Sequence, residues 1–254
     1  MTNPLDAFRL DNRVVVLTGA SSGLGVGFAR ALGAVGADLV LAARRVENME
    51  TLARELREDG VRVVVQAADV SQPEDCQAVA TRAAEEFGRV DVLVNNAGTA
   101  SATPALRETP ETFRRVVDVN LAGCLWMAQA CVPLMPVGSA IVNVASVLSH
   151  IAPRFPNAAY AASKAGVLGL TRDLAQEWTG RRGIRVNALC PGYFATEMTS
   201  DGRNVIETML AEHSILPRFG EQEELDSALI FLASRASSYV TGASLVVDGG
   251  LSVL

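Results

Sequence analysis

Seven short runs rich in Val, Ile, Leu and Ala, separated by segments of helical periodicity, set the tightest limit on the fold of this chain. The runs are Arg13–Leu17, Asp38–Ala43, Val61–Ala67, Val90–Asn95, Ser139–Ala145, Ile184–Leu189 and Ser244–Val247. Most lack the apolar–polar alternation of a half-exposed strand. Strands apolar on both sides belong to a parallel sheet whose faces are both covered by crossover helices. The intervening segments supply those helices. Leu24, Phe28, Leu32 and Val35 share one face, as do Cys76, Val79, Ala83 and Phe87, and Leu225, Ala228, Leu229 and Leu232 mark a late helix. Ser71 with Glu74 has capping-box spacing, Thr109-Pro110 fits a helix start, and Gly60 and Gly88 fall where helices stop. Right-handed βαβ units in this number predict an α/β fold, a doubly wound parallel sheet with helices on both faces.

Composition narrows the function classes. The 254 residues are 49% hydrophobic, enough for a packed core, and show no repeat, low-complexity tract or linker, so residues 1–254 read as a single domain. Lys and Arg total 22 against 28 Asp and Glu, and the net charge of −6 argues against nucleic acid as a partner. Cys76, Cys124, Cys131 and Cys190 have neither CxxC spacing nor nearby histidines. They are expected to be reduced, mostly buried thiols, not a disulfide framework or a metal site. The opening MTNPLDAFRLDNR lacks a basic segment followed by an apolar core, so a cytoplasmic protein is expected. Val119 to Ser149 carries no charge, but Pro133, Pro136, Gly138 and Ser139 divide it, giving a soluble helix followed by a core strand and no membrane span. Ser200–Arg218 is the least regular stretch, and a substrate lid is placed near residues 196–218.

Chemistry-bearing residues cluster at strand ends. After the first strand comes Thr18-Gly19-Ala20-Ser21-Ser22-Gly23-Leu24-Gly25, leading into a helix. Glycines at such a turn let backbone approach a pyrophosphate, which then lies at the positive helix N-terminus; a ligand-free tight turn is the alternative. NAD-binding sheets place an acid at the end of the second strand for the ribose 2′-hydroxyl. Here that strand ends in Arg44-Arg45, and guanidinium groups pair with a 2′-phosphate, so NADP(H) is favoured with NAD(H) left open. Tyr160 and Lys164 lie four apart on a helix set by Val167, Leu170, Leu174 and Trp178. An ammonium beside a phenol favours phenolate, making tyrosine a usable acid or base, although such a pair is usually a surface contact. Ser146 ends the fifth run and faces either the crevice or its own turn. Asn120 falls on an apolar stripe of Phe113, Val116, Val117, Leu121, Cys124 and Ala128, where its amide needs partners, structural or catalytic. Asn95–Gly98 and Pro191–Gly192 also close predicted strands, on the edge where open α/β sheets bind ligands.

Taken together, TGASSGLG (Thr18–Gly25), Asp69, NNAG (Asn95–Gly98), Asn120, Ser146, YAASK (Tyr160–Lys164), PGYFAT (Pro191–Thr196) and VTGASLVVDGG (Val240–Gly250) resemble the short-chain dehydrogenase/reductase family over nearly the whole chain. The resemblance implies a Rossmann-type, seven-stranded sheet and a single-domain oxidoreductase of about 250 residues. It implies hydride transfer between a nicotinamide cofactor and a small-molecule carbonyl or secondary alcohol. Tyr160 would be the acid/base, Lys164 would favour its phenolate and hold the nicotinamide ribose, Ser146 would bind the substrate oxygen, and Asn120 would anchor a relay water. Cofactor contacts would come from Gly19, Ser21, Ser22, Gly23, Leu24, Gly25, Arg44, Arg45, Asp69, Val70, Asn96, Ala97, Gly98, Pro191, Gly192 and Thr196, besides Tyr160 and Lys164. Asp69 would meet adenine and Thr196 the carboxamide. A homotetramer or homodimer is implied, packed through the helices carrying Asn120 and Tyr160. Residue 22 is serine where many NADP-preferring relatives carry a second basic residue. His150, Arg154 and His213 fall in pocket or lid segments and receive no catalytic role. A 3-oxoacyl-thioester reductase and a sugar or steroid dehydrogenase remain alternatives, as does a dinucleotide-binding sensor without turnover.

Overall fold

The computed structural model describes residues 3–152, 155–196 and 203–253. Strands β1 (Val14–Thr18), β2 (Asp38–Ala43), β3 (Val63–Ala67), β4 (Val92–Asn95), β5 (Ala140–Val144), β6 (Arg185–Pro191) and β7 (Ser244–Val247) form one sheet. Their order is β3-β2-β1-β4-β5-β6-β7, and every neighbouring pair is parallel. All seven sequence-predicted strands are present, with some ends displaced by one or two residues. Strand order reverses between β1 and β4, which opens a crevice at their carboxyl ends.

Each strand serves two cores. Val15 and Leu17 of β1 join α1 (Leu24–Ala34), α2 (Val46–Glu58) and a late helix, α8 (Gln222–Ala233), on one face. Val14 and Val16 join α3 (Pro73–Phe87), α5 (Gly123–Cys131) and α6 (Ala158–Arg182) on the other. Side chains that alternate between two dry faces explain why these strands are apolar throughout. The four cysteines are buried and free.

Several local expectations shift. Thr109 caps α4 (Pro110–Val117) through its hydroxyl, which accepts the Thr112 amide at 3.2 Å. Ser71 does not cap α3: the N-cap is Gln72, and the Ser71 hydroxyl donates to Asp69 Oδ1 at 2.7 Å. Pro73 opens the helix with its fixed φ, which moves the start past the expected box. The stretch read as least regular contains α7 (Arg203–His213), whose Ile206 and Leu210 are buried one turn apart. The segment expected to form a lid also takes in 197–202, outside the described residues. Pro110–Leu134 is a continuous helix with the length and hydropathy of a membrane span, yet Met127, Ala128 and Cys131 are wholly buried in the core beneath the sheet. Within it, Asp118–Ala122 is a π-turn. Phe113, expected on the buried stripe, is 41% exposed because the π-turn rotates the residues before it away from the face that follows.

Phe28 seats α1, and thus the glycine loop, on the sheet at 0% exposure. Phe28→Ala is expected to cost about 3–5 kcal/mol, read as a lower urea midpoint with an unchanged slope.

Candidate active site

The loops after β1 and β4 are tied by one hydroxyl. Thr18 Oγ1 accepts the amides of Asn96 and Ala97, each at 3.0 Å, and donates to the Val94 carbonyl at 3.4 Å. Asn96 Nδ2 returns the contact, donating to the carbonyls of Thr18 at 3.0 Å and Gly19 at 3.3 Å. This leaves no room for side chains. Gly19 has φ +67°, and a Cβ there would lie 2.8 Å from the Ala97 Cα; a Cβ on Gly25 would overlap the Gly19 carbonyl. Helix α1 starts at Leu24 behind Gly23 with no side-chain cap on its first amides. A bare helix N-terminus behind a glycine cradle fits the pyrophosphate of a dinucleotide.

The residues expected to meet the adenosine end lie past β2 and β3. Arg44 and Arg45 are exposed, and Arg45 is the N-cap residue of α2. Arg45 donates to the hydroxyls of Ser21 at 3.4 Å and Ser22 at 2.6 Å, and Asn48 Nδ2 donates to the Ser21 carbonyl at 3.2 Å. Partial burial opposes ionisation of Asp69, but hydrogen bonds from the Ser71 hydroxyl and amide, together with the Arg44 charge, outweigh it and hold its carboxyl below the usual range. Val70 is buried against Gly123, where a Cβ would come within 2.8 Å of it.

The residues expected at the reacting end are brought together by α6 and the π-turn. Lys164, only 4% exposed, donates from Nζ to the Val144 carbonyl at the end of β5, at 2.6 Å, and lies 5.8 Å from the Tyr160 ring centroid. Asn120 is 0% exposed. Its Oδ1 accepts the Thr99 amide at 2.8 Å, and its Nδ2 donates to the Thr99 carbonyl at 2.9 Å and to Ser163 Oγ at 3.0 Å. Ser163 Oγ in turn donates to the Tyr160 carbonyl at 2.7 Å. Gly98 closes the gap: a Cβ there would sit 3.4 Å from Asn120 Oδ1 and 3.6 Å from Lys164 Nζ. Ser146, 7% exposed, lies just beyond β5, and its hydroxyl accepts the Leu148 amide at 3.2 Å, so it also caps its own turn. Burial pushes the Cys190 thiol up to about 11, against the Ser146 amide and the Lys164 charge, and Cys124, also near Lys164, likewise stands at about 11; both stay protonated at neutral pH.

Pro191 ends β6, and the Gly192 amide donates to Val247 at 2.8 Å, an approach so close that a Cβ would meet the Asp248 backbone at 2.6 Å. Thr196 stands over the glycine loop, its Cβ 3.5 Å from where a Gly23 Cβ would be. The structure thus gathers the glycine loop, Asn96–Gly98, Asn120, Ser146, Tyr160, Lys164, Pro191–Gly192 and Thr196 along one sheet edge, with Arg44, Arg45, Asp69 and Val70 further out. His150 is exposed, His213 lies 3.4 Å from Glu212, and Arg154 is outside the described residues. Sequence reasoning missed Thr18 as the brace between loops, Ser163 as the link from Asn120 to α6, and Tyr193. Burial pushes the Tyr193 hydroxyl up to about 12, with Tyr160 adding to the effect. Only Ser163 carried a signal, its place directly before Lys164.

A family model described as enoyl-(acyl carrier protein) reductase matches residues 19–252. The chain is 44% identical to the galactitol 2-dehydrogenase (L-tagatose-forming) of Cereibacter sphaeroides, over 97% of each sequence. A short-chain type dehydrogenase/reductase from Mycobacterium marinum shares the fold at TM-score 0.95 and 34% identity, covering 99% of this chain and 100% of that one. The chain belongs to the short-chain dehydrogenase/reductase family. A gluconate 5-dehydrogenase from Burkholderia cenocepacia, solved in complex with NADP and tartrate, matches at TM-score 0.93 and 36% identity, over 99% and 100% of the two chains. As a member of this family the protein is an oxidoreductase of secondary alcohols and carbonyls that uses a nicotinamide cofactor.

Thr18→Val keeps the shape of the brace and removes its acceptor. The Ala97 amide then loses its partner and the Asn96 amide keeps only the Val94 carbonyl, at a cost of roughly 2 kcal/mol. A lower Tm and about a tenfold weaker cofactor dissociation constant by calorimetry are expected.

Proposed function

We propose that this protein is an NADP(H)-dependent dehydrogenase/reductase in which Tyr160 moves the proton and Lys164 holds the cofactor beside it. The observation that carries the reading is the buried Lys164 ammonium, fixed to Val144 on the same helical face as Tyr160 and reached across the missing Gly98 side chain. An ammonium has three donors. One is spent on Val144, which leaves donors for the nicotinamide ribose hydroxyls and sets a positive charge 5.8 Å from the Tyr160 ring centroid.

When bound, the nicotinamide supplies the hydride, with its two electrons, to the carbonyl carbon in reduction and takes it back in oxidation. Tyr160 gives its proton to the carbonyl oxygen in the first direction and removes it from the alcohol in the second. The Ser146 hydroxyl holds the same oxygen. Asn120, which the resemblance makes a relay residue, has its side chain engaged by Thr99 and Ser163, and in this reading it also fixes the first turn of α6.

For the cofactor, Arg44 and Arg45 follow β2 and would take a 2′-phosphate, and Ser21 and Ser22 bond the Arg45 guanidinium. The absence of an acid at the end of β2, and relatives solved with NADP or NADPH, support NADP(H) over NAD(H). The glycine loop takes the pyrophosphate, Asp69 and Val70 the adenine, and Asn96–Gly98, Pro191–Gly192 and Thr196 the nicotinamide half. The chain acts as one catalytic domain with residues 196–218 as its lid. The half-buried Leu121, Leu125 and Trp126 and the exposed Phe113 support assembly through the Asn120 helix into a homodimer or homotetramer. Four buried reduced thiols support a cytoplasmic location.

Tyr160→Phe should reduce kcat by about 100- to 10,000-fold while leaving NADPH affinity within a few-fold, measured by stopped-flow turnover and fluorescence titration. Arg44→Ala should weaken NADPH at least about tenfold more than NADH, since one charged hydrogen bond to phosphate is worth about 1.5–3 kcal/mol. Equal losses for the two cofactors would refute the phosphate role.

A further inference from the structure

We propose that the substrate of this site, on the functional reading above, carries an apolar arm on one side of the reacting carbon, and that Tyr193 selects it. Tyr160 packs on an apolar cluster whose side chains come from separate segments. The turn after β5 contributes Leu148 and Ile151, the strand-end loop after β6 contributes Tyr193, and α7 contributes Ile206, Met209 and Leu210. Leu148, Ile206 and Leu210 are buried and form the backing. Like Tyr160, Ile151, Tyr193, Met209 and Phe219 pack on this backing while staying partly exposed, so they are the members a ligand can touch. The Tyr193 ring tilts against Phe155, with centroids 6.4 Å apart at 58°, and makes an aromatic wall.

The charges of α7 lie on a neighbouring face. Arg203 and Glu207 pair with each other at 2.9 Å and line a cavity of about 550 Å³ with Arg218 and Glu221, which Phe219 borders with its ring 5.2 Å from the Arg203 guanidinium. Among the described residues of the Ser146–Tyr160 loop, the buried Ser149 Oγ and Asn157 Oδ1 have no protein partner, and His150 is exposed. Those two atoms suit one hydroxyl beside the carbonyl, not a chain of them. A sugar alcohol would bury hydroxyls against Ile151, Met209 and Phe219, losing affinity for each one left unpaired. An alkyl arm gains about fourfold for each methylene buried there.

The test compares kcat/KM, with NADPH, for 2-octanone and 4-phenyl-2-butanone against the ketose L-tagatose, and the reverse reactions of 2-octanol and galactitol with NADP+. The apolar ketones and 2-octanol are expected to exceed their polyhydroxylated counterparts at least 100-fold. Tyr193→Ser and Met209→Gln should lower kcat/KM for 2-octanone at least tenfold more than for acetone, through KM, with NADPH affinity unchanged by fluorescence titration. Tyr193→Phe should keep the 2-octanone preference, which separates a wall from a folding defect. Equal or better turnover of L-tagatose and galactitol would overturn the apolar-arm proposal and leave the oxidoreductase reading intact. Tight NADPH binding with no turnover of either class would overturn both.

Discussion

The Thr18 hydroxyl accepts two amides from the loop after β4 and donates to a carbonyl of that strand, and the geometry of the cofactor cradle follows from it. Parallel strands bring every β-to-α turn to the same edge, but they do not fix how far apart two neighbouring turns stand. The Thr18 brace does. With the loops drawn together, Gly19 must be glycine, and the first amides of α1 face the cleft bare. The Asn96 side chain closes the same joint from the opposite loop. Cradle and catalytic end are thus two consequences of strand register, joined by side chains too short to flex.

A second brace sets the chemistry. Asn120 fastens the Thr99 backbone on one side and Ser163 on the other, and Ser163 holds the Tyr160 carbonyl. Tyr160 and Lys164 stand at α-helical spacing, but the height of their helix above the sheet is set by a side chain from another helix. That helix departs from regularity at the residue concerned: the π-turn at Asp118–Ala122 widens the coil and turns Asn120 inward.

Strand count, parallel topology and the convergence of motifs at one edge were legible in the sequence because a doubly covered sheet forces apolar runs and a glycine turn forces its glycines. The Tyr160–Lys164 pair was legible because helical spacing is periodic. What escaped lacked a periodic trace. A π-turn inserts one residue into a helix without altering its composition, so the stripe through Phe113 looked continuous when it was not. Ser71 matched a capping box by spacing, but Pro73 began the helix later and Asp69 took its hydroxyl. Thr18 and Ser163 act through partners 76 to 79 and 43 residues away, separations at which no local pattern survives.

The two ends of the cofactor site hold positive charge in different media. Lys164 is sealed behind β5 with its ammonium on a backbone carbonyl, whereas Arg44 and Arg45 stand in solvent. Mobile ions screen exposed charges within about 10 Å at 0.1 M salt and buried ones much less. Rising ionic strength therefore erodes the field of Arg44 and Arg45 well before it touches the field of the Lys164 ammonium. The two positive regions are electrically decoupled, so a salty environment weakens the field beyond β2 while the buried ammonium keeps its own.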